Sequence, residues 1–322
     1  MEIISNNTKF LLALSQLKGI GPATLKNIAV NTNNANLTID FLFNHDKKIK
    51  KALENSNAWD ESLEFVEEQI DYAKEYNVKI ISILDECYPA LLQKSKHDPS
   101  LLFIKGALHT YPENTVGIIG TREPTPHGKI ITERVAQFFI ENNWSIVSGL
   151  AIGCDSIAHQ AAVNNKSHTV AVLAHGLETI APKQNKKLAE DILENGGMLV
   201  SQFPFKSDIR PINFVVRDKV QAGLSQGIIM IQSDINGGSL HASRAILSDN
   251  RWLSVPNPTQ LDRDNKESKI GANLTIIDGE TIEVEKLLEC KPSDLKNIHK
   301  LYSKDDYSKL LLINRNEQFS LI

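Results

Sequence analysis

Asp155 and His159 stand four residues apart in the run SGLAIGCDSIAHQAAV, residues 148–163, a spacing that puts a carboxylate and an imidazole on one face of a helix. Such a pair could serve as a catalytic dyad. Asp155 could instead stand at a helix start, accepting hydrogen bonds from orphan N–H groups, with His159 one turn further on. Hydrolysis would need a nucleophile and an oxyanion site within reach, and no GxSxG and no metal-ligand triad accompanies the pair. Capping beside a binding loop is the expected role, with Ser148 and Gly149 as the ligand-facing part. Cys154 reads as a small apolar residue at the helix start, a location that could lower its thiol pKa.

The elements that must position these residues belong to a chain of 322 residues with 41% apolar and 23% charged content, the composition of a soluble globular protein. Its three cysteines, Cys87, Cys154 and Cys290, are far apart and odd in number. They form neither a disulfide framework nor a zinc site, so no metal is expected and a reducing cytoplasm fits best. The first residues, MEIISNNTKFLLALSQL, lack a basic leader, and no run approaches the roughly 20 apolar residues of a membrane span. Net charge is −4, which offers polyanions no global attraction, but a ligand in a groove responds mainly to charges within about 8 Å. Local clusters of cations therefore matter more than the sum.

Leu11, Leu14 and Leu17 lie at helical spacing, Gly19-Ile20-Gly21-Pro22 interrupts them, and Thr24 to Ala29 resume the pattern. This predicts two helices joined by a tight glycine turn. The arrangement resembles a helix-hairpin-helix motif, whose turn can present N–H groups to a phosphate; it is equally a small helical packing module. Residues 31–60, rich in Asn and Lys, read as a linker with little structure. In 61–77, Leu63, Val66, Ile70 and Ala73 share one face of a docking helix. From Val78, short apolar runs at 79–84, 101–104, 115–120, 144–148, 168–173, 198–201, 227–231 and 252–255 alternate with helix-length segments near 128–142, 155–164, 185–195, 217–223 and 239–249. That alternation predicts a doubly wound α/β domain around a mostly parallel sheet. The organisation expected is a helical module and linker (1–60), a Rossmann-like domain (61–285) and a short tail (286–322).

In doubly wound sheets, ligands bind beyond the carboxyl ends of the strands. Gly120-Thr121-Arg122, Ser148-Gly149, His175-Gly176-Leu177 and Asn236-Gly237-Gly238-Ser239 all follow predicted strands. Together they predict an anion-binding rim, since small residues let a phosphate approach the backbone N–H groups. The first strand lacks GxGxxG, which argues against a dinucleotide. No cofactor is expected.

The blocks GTREPTPHG (120–128), SGLAIGCDSIAHQAA (148–162), AVLAHGLETIAPKQNKKL (171–188), NFVVRDKVQAGLSQGIIMI (213–231) and GGSLHASRAI (237–246) resemble, in order, those of the DprA/Smf family of DNA-processing proteins. YPALLQ, LLFIKG and IGANLTIIDG fit the flanks, and the likeness covers roughly residues 8–30 and 78–285. It implies an extended Rossmann-like fold with a small helix-hairpin-helix or SAM-like module, single-stranded DNA as ligand, a homodimer, and RecA loading in transformable bacteria. Departures are visible. Arg-Asn-Arg after Phe-Pro becomes Arg217-Asp218-Lys219 after Phe214-Val215-Val216; the usual Tyr-Pro is Ala181-Pro182, with Lys183 and Asn185 in frame; and the Glu that often ends the fifth strand is replaced by Gln232-Ser233-Asp234. The residues after the domain are too few for the winged helix of some members.

The resulting expectation is a positively lined cleft using Arg122, Lys183, Arg210, Arg217 and Lys219. Four engaged cations would give a log–log salt slope of about −3 for a single strand. Phe203, Phe205 and Phe214 could stack bases or pack the core. The rival enzyme class, LOG-type phosphoribohydrolases, places a catalytic Glu where this chain has Arg244, so hydrolysis is disfavoured. A third reading is a sensor of free nucleotide, in a defence or mobile-element setting. Ile246, Leu247 and Trp252 could form an interface, but core burial is the default.

Overall fold

The computed structural model describes residues 2–32, 37–54, 57–107, 112 and 114–319, with side chains described to residue 313. Nine strands form one sheet: β1 (Lys79–Ser82), β2 (Leu101–Gly106), β3 (Thr115–Ile119), β4 (Ser145–Ser148), β5 (Thr169–Leu173), β6 (Met198–Ser201), β7 (Gly227–Met230), β8 (Trp252–Pro256) and β9 (Ile298–Leu301). Their order is β1-β2-β6-β5-β4-β3-β7-β8-β9. The β1–β2 and β2–β6 pairs are antiparallel; from β6 to β9 every pair is parallel. The chain runs outward from β3 through β4 and β5 to β6, then returns to lay β7 against the other side of β3. That reversal opens a crevice at the carboxyl ends of β3 and β7. The fold is α/β and Rossmann-like, as the alternating pattern predicts.

Alternation along each strand assigns its two faces. Val116 and Ile118 of β3 pack with Val135 and Phe139 of the helix Pro126–Glu141 and Ala158 of the helix Cys154–Asn164. Ile119, with Ile228 and Met230 of β7, meets Ala242 and Ile246 of the helix Ser239–Ser248 on the opposite face. Ile246, Leu247 and Trp252 are all buried in these layers, so they are core. A third cluster joins Leu11, Leu14 and Leu25 to Ile80, Phe103, Val172 and Leu199. The helices Asn6–Gln16 and Pro22–Asn31 thus share apolar packing with the sheet.

Three expectations need correction. Residues 31–60 contain the helices Ile39–His45 and Lys47–Ala52, the second started by Asp46, whose carboxylate accepts from the N–H groups of Lys48 and Ile49. The abundance of Asn and of Lys on exposed faces gave the segment its unstructured look; residues 33–36 and 55–56 lie outside those described. In the helix Ala58–Tyr76, Val66, Ile70 and Ala73 are buried, but Leu63 is exposed and Gln69 takes an inward position. Gln69 Oε1 accepts from the Phe205 N–H. The presumed tail supplies β9, and its Tyr307 and Leu310 join the core beside Phe139.

The turn from β3 into the following helix is fixed by two polar side chains. Thr125 Oγ1 accepts from Gly128 N as the helix cap. Gln232, just past β7, accepts from Thr125 N through Oε1 at 3.0 Å and donates through Nε2 to Thr125 Oγ1 at 2.9 Å. A Glu at position 232 would lack the second donor. Thr125→Ala is expected to lower unfolding stability by about 1 kcal/mol in denaturant titration, because it removes the cap.

Candidate phosphate-binding cleft

At the β3/β7 reversal lies a cleft of about 550 Å³. Gly120, Thr121 and Arg122 form one wall, and Ser233 to Ser239 lead into the helix Ser239–Ser248 at the other. Phe214, Arg217 and Asp218 of the helix Pro211–Gly223 close the side. Lys269 also reaches the rim, paired at 3.2 Å with Glu123.

Arg122 is exposed, and its guanidinium lies 5.7 Å from the Phe214 ring centroid. Its charge also acts on the nearby Asp218 carboxylate, opposing the raise that burial gives it. Arg217 flanks the same ring at 5.8 Å but is buried. Its Nη1 donates to the carbonyls of Gly149 and Val172, the latter at 2.8 Å, and its Nε donates to Asp218 at 2.8 Å. Arg217 is therefore committed to the protein. It ties the ends of β4 and β5 to the helix and leaves Arg122 as the cation with donors to offer a ligand.

Asp155 answers the question raised by the opening motif. Its Oδ2 accepts from the N–H groups of Gly149 and Ala151 at 3.1 and 3.3 Å, so it fastens the loop that precedes its own helix. Burial pushes its carboxyl up to about 6, against the lowering effect of Arg217 and with a further raise from Asp218. Asp218 is likewise raised by burial, with Arg217 opposing. His159 is buried, its Nδ1 is 2.8 Å from Thr169 Oγ1, and desolvation lowers its pKa to about 3. The two side chains of the motif face different partners, and no dyad forms. Cys154 is buried and its thiol is raised to about 12, chiefly by desolvation, the opposite of activation.

The loop geometry requires small residues. A Cβ on Gly149 would fall 2.2 Å from Arg217 Nη1 and 2.7 Å from Asp155 Oδ2. Gly153 has φ +86°, and a Cβ there would meet the backbone of Thr121 and Arg122 at 2.5–2.6 Å. These glycines let the β4 loop pack under the β3 loop, beneath the cleft.

Of the residues expected to face a ligand, Gly120, Thr121, Arg122, Arg217, Gly237, Gly238 and Ser239 do line this cleft. Ser148 does not: it is fully buried, and its Oγ donates to the Ile118 carbonyl. Gly149 is buried beneath the rim. Asn185 is buried and donates to the Leu150 carbonyl at 2.8 Å, bracing the same loop. Lys183 is exposed on the turn Lys183–Asn185, outside the cleft lining. The His175–Gly176–Leu177 loop is buried and forms no part of the rim. Lys219 opens onto a separate groove. Arg210 is exposed and paired with Asp208 at 2.6 Å. Phe203 is half-buried away from the cleft, and Phe205 packs among Tyr72, Tyr76 and Phe103.

The expectation of a positively lined cleft also fails. Its lining carries Arg122, Arg217 and Lys269 against Glu123, Asp155, Asp218 and Asp234. Asp218 enters through the departure Arg217-Asp218-Lys219, and Asp155 is held there by its structural bonds. Attraction for an anion must come from Arg122 and from N–H groups at the start of the helix Ser239–Ser248. Lys269 escaped sequence reasoning because it lies far along the chain from the strand-end loops, and Asp234 stands out in the sequence only as a departure from the family pattern. Arg244, at the position where the hydrolases place Glu, is directed elsewhere: it pairs with Glu289 at 2.7 Å and donates to the Leu287 carbonyl.

A mostly parallel sheet with a glycine-walled crevice at its switch point and an arginine at the lip defines a Rossmann-like protein. Residues 79–287 match the family model described as DNA recombination-mediator protein A, and the chain belongs to that family. Protein Smf of Synechocystis is 33% identical over 262 residues, covering 77% of this chain and 64% of that protein. Protein Smf of Escherichia coli is 34% identical over 200 residues, 60% and 52% of the respective chains. The chain thus spans roughly half to two thirds of these curated relatives. Among solved structures, DNA processing protein A from Streptococcus pneumoniae superposes with a TM-score of 0.65 at 25% identity, over 96% of this chain and 98% of that one. The Helicobacter pylori protein, solved in a study of its single-stranded DNA binding mode, matches with a TM-score of 0.59 at 24% identity over 74% of this chain and 98% of that one; it supports the fold. Among the described residues no helix is long and apolar enough to cross a membrane.

Proposed function

We propose that this protein binds single-stranded DNA at the β3/β7 cleft and acts in DNA processing and recombination without turning over its ligand. The observation that carries this reading is Arg122, exposed at the lip and stacked over Phe214. A cation beside an aromatic face suits a phosphate followed by an unpaired base. Gly120, Thr121, Gly237, Gly238 and Ser239 complete the site. Family membership supports the remaining assignments: a homodimer and RecA loading onto incoming strands during transformation.

Fluorescence anisotropy with labelled oligo-dT and a matched duplex, across a salt series, tests the reading. Single-strand preference is expected, with a slope for a short oligomer of about −0.7 per phosphate neutralised. Because Arg217 is engaged internally, that slope should be nearer −1 than −3. Tight binding of a mononucleotide with no oligomer binding would replace this reading by the nucleotide sensor. Release of a free base would replace it by the hydrolase.

A further inference from the structure

The helix Pro211–Gly223 has a second polar side. Phe214, Arg217 and Asp218 face the cleft, whereas Val216 and Lys219 line a different groove of about 570 Å³. Its opposite wall is the N-terminal helix Pro22–Asn31, which contributes Lys26, and its floor includes Lys96 and His97.

The charge balance of this groove is the reverse of the cleft's. Lys26, Lys96 and Lys219 are its cations, and Asp98 is its one lining carboxylate among the described residues. The Asp98 side chain is fully buried, pairs with Lys26 at 3.1 Å and accepts from Tyr88 Oη, so its charge is spent on Lys26. Lys96 Nζ rests on the Ser248 carbonyl, while its backbone N–H donates to Asp249. A carbonyl partner leaves two of the ammonium's donors available, with the Asp249 carboxylate held on the backbone beside it rather than on the ammonium. His97 is 3.0 Å from Ser248 Oγ, and burial lowers its pKa below the ordinary value, with Lys219 and Lys96 acting in the same direction and Asp249 against it. It is a neutral hydrogen-bonding group at neutral pH.

We propose that this groove is a second contact site for a phosphodiester backbone, taking up the strand as it passes over the helix Pro211–Gly223 from the cleft. Among the described residues the lining holds no aromatic group other than the His97 imidazole, so the contact is to phosphates and independent of sequence. The proposal rests on the single-strand reading of the cleft and adds the N-terminal helix to the path. A cleft with a carboxylate excess anchors one nucleotide, and the lysine groove supplies the Coulombic pull that the cleft lacks.

The test uses the whole protein, the Lys96→Gln/Lys219→Gln double variant and Arg122→Ala, with oligo-dT of about four and about twenty nucleotides, lengths that bracket common site sizes. Lys26 is left in place because it neutralises buried Asp98. For the longer probe, the double variant should flatten the log–log salt slope by about 1.4, two phosphates at roughly 0.7 each, while binding of the shorter probe stays at the wild-type level. Arg122→Ala should weaken both. Long-probe binding by the double variant equal to wild type, with unchanged melting, overturns the groove proposal, leaves the cleft reading standing, and would point to an acidic protein surface as the groove's occupant. Failure of the wild type to bind either probe removes both.

Discussion

Replacing Arg217 by Met is expected to cost about 3–5 kcal/mol of unfolding stability in denaturant titration, the loss typical of removing one partner of a buried ion pair. Methionine keeps much of the aliphatic bulk, so the loss isolates the guanidinium. Without it, the Gly149 and Val172 carbonyls lose their donor, and Asp218 and Asp155 lose the positive charge that opposes their desolvation. Lysine should rescue only part of the loss, since one ammonium does not reproduce the geometry of the planar fork.

The loss should depend on pH in a definite direction. In the native wild type, both carboxyls titrate above the ordinary aspartate range, Asp155 at about 6. Between the unfolded value near 4 and that folded value, the native state holds more protons than the unfolded state. Stability contributed by these groups is therefore greatest at acidic pH, declines as pH rises through about 6, and is flat above. Removing Arg217 raises both carboxyls further, so the variant's deficit should be larger at pH 8 than at pH 5. Equal deficits at the two pH values would show that the guanidinium acts through packing and hydrogen bonds alone.

Arg122→Ala is the larger change for ligand binding. A charge-assisted hydrogen bond contributes roughly 1.5–3 kcal/mol, so single-strand affinity should fall about 10- to 100-fold with little change in melting temperature, because the side chain is exposed. The salt slope should become shallower by about 0.7. Arg122→Lys should restore the slope but not the full affinity, since an ammonium stacks less well on Phe214 than a guanidinium does. An unchanged affinity in Arg122→Ala would remove the cleft from the binding surface.

The sheet was legible because parallel strands, buried on both faces, are written as continuous apolar runs; all eight predicted strands occur, within a residue or two at their ends. The ninth was not. Ile298-His299-Lys300-Leu301 carries two polar residues in four and lies at the sheet's edge, where burial does not impose such a run. The cleft was readable as far as the strand-end loops go, which is why Gly120, Arg122 and Gly237 were found. Roles within it were not readable from residue type. A sequence does not tell an exposed arginine from a buried one: Arg122 and Arg217 look equivalent until carbonyls from β4 and β5 are seen to claim the second. Lys183 and Lys219 follow the same logic. Both sit beside cleft-forming elements, yet one belongs to a separate turn and the other to the far side of its helix.

The position of β9 bears on how the molecule behaves in a crowded cell. Every residue of β8 is buried, and β9 runs beside it in parallel register from Leu253 opposite Ile298 to Pro256 opposite Leu301. Without that short polar outrigger, the apolar β8 would offer its open row of amides and carbonyls to any extended peptide nearby. The four residues 298–301 thus guard the flank of the sheet against adhesion.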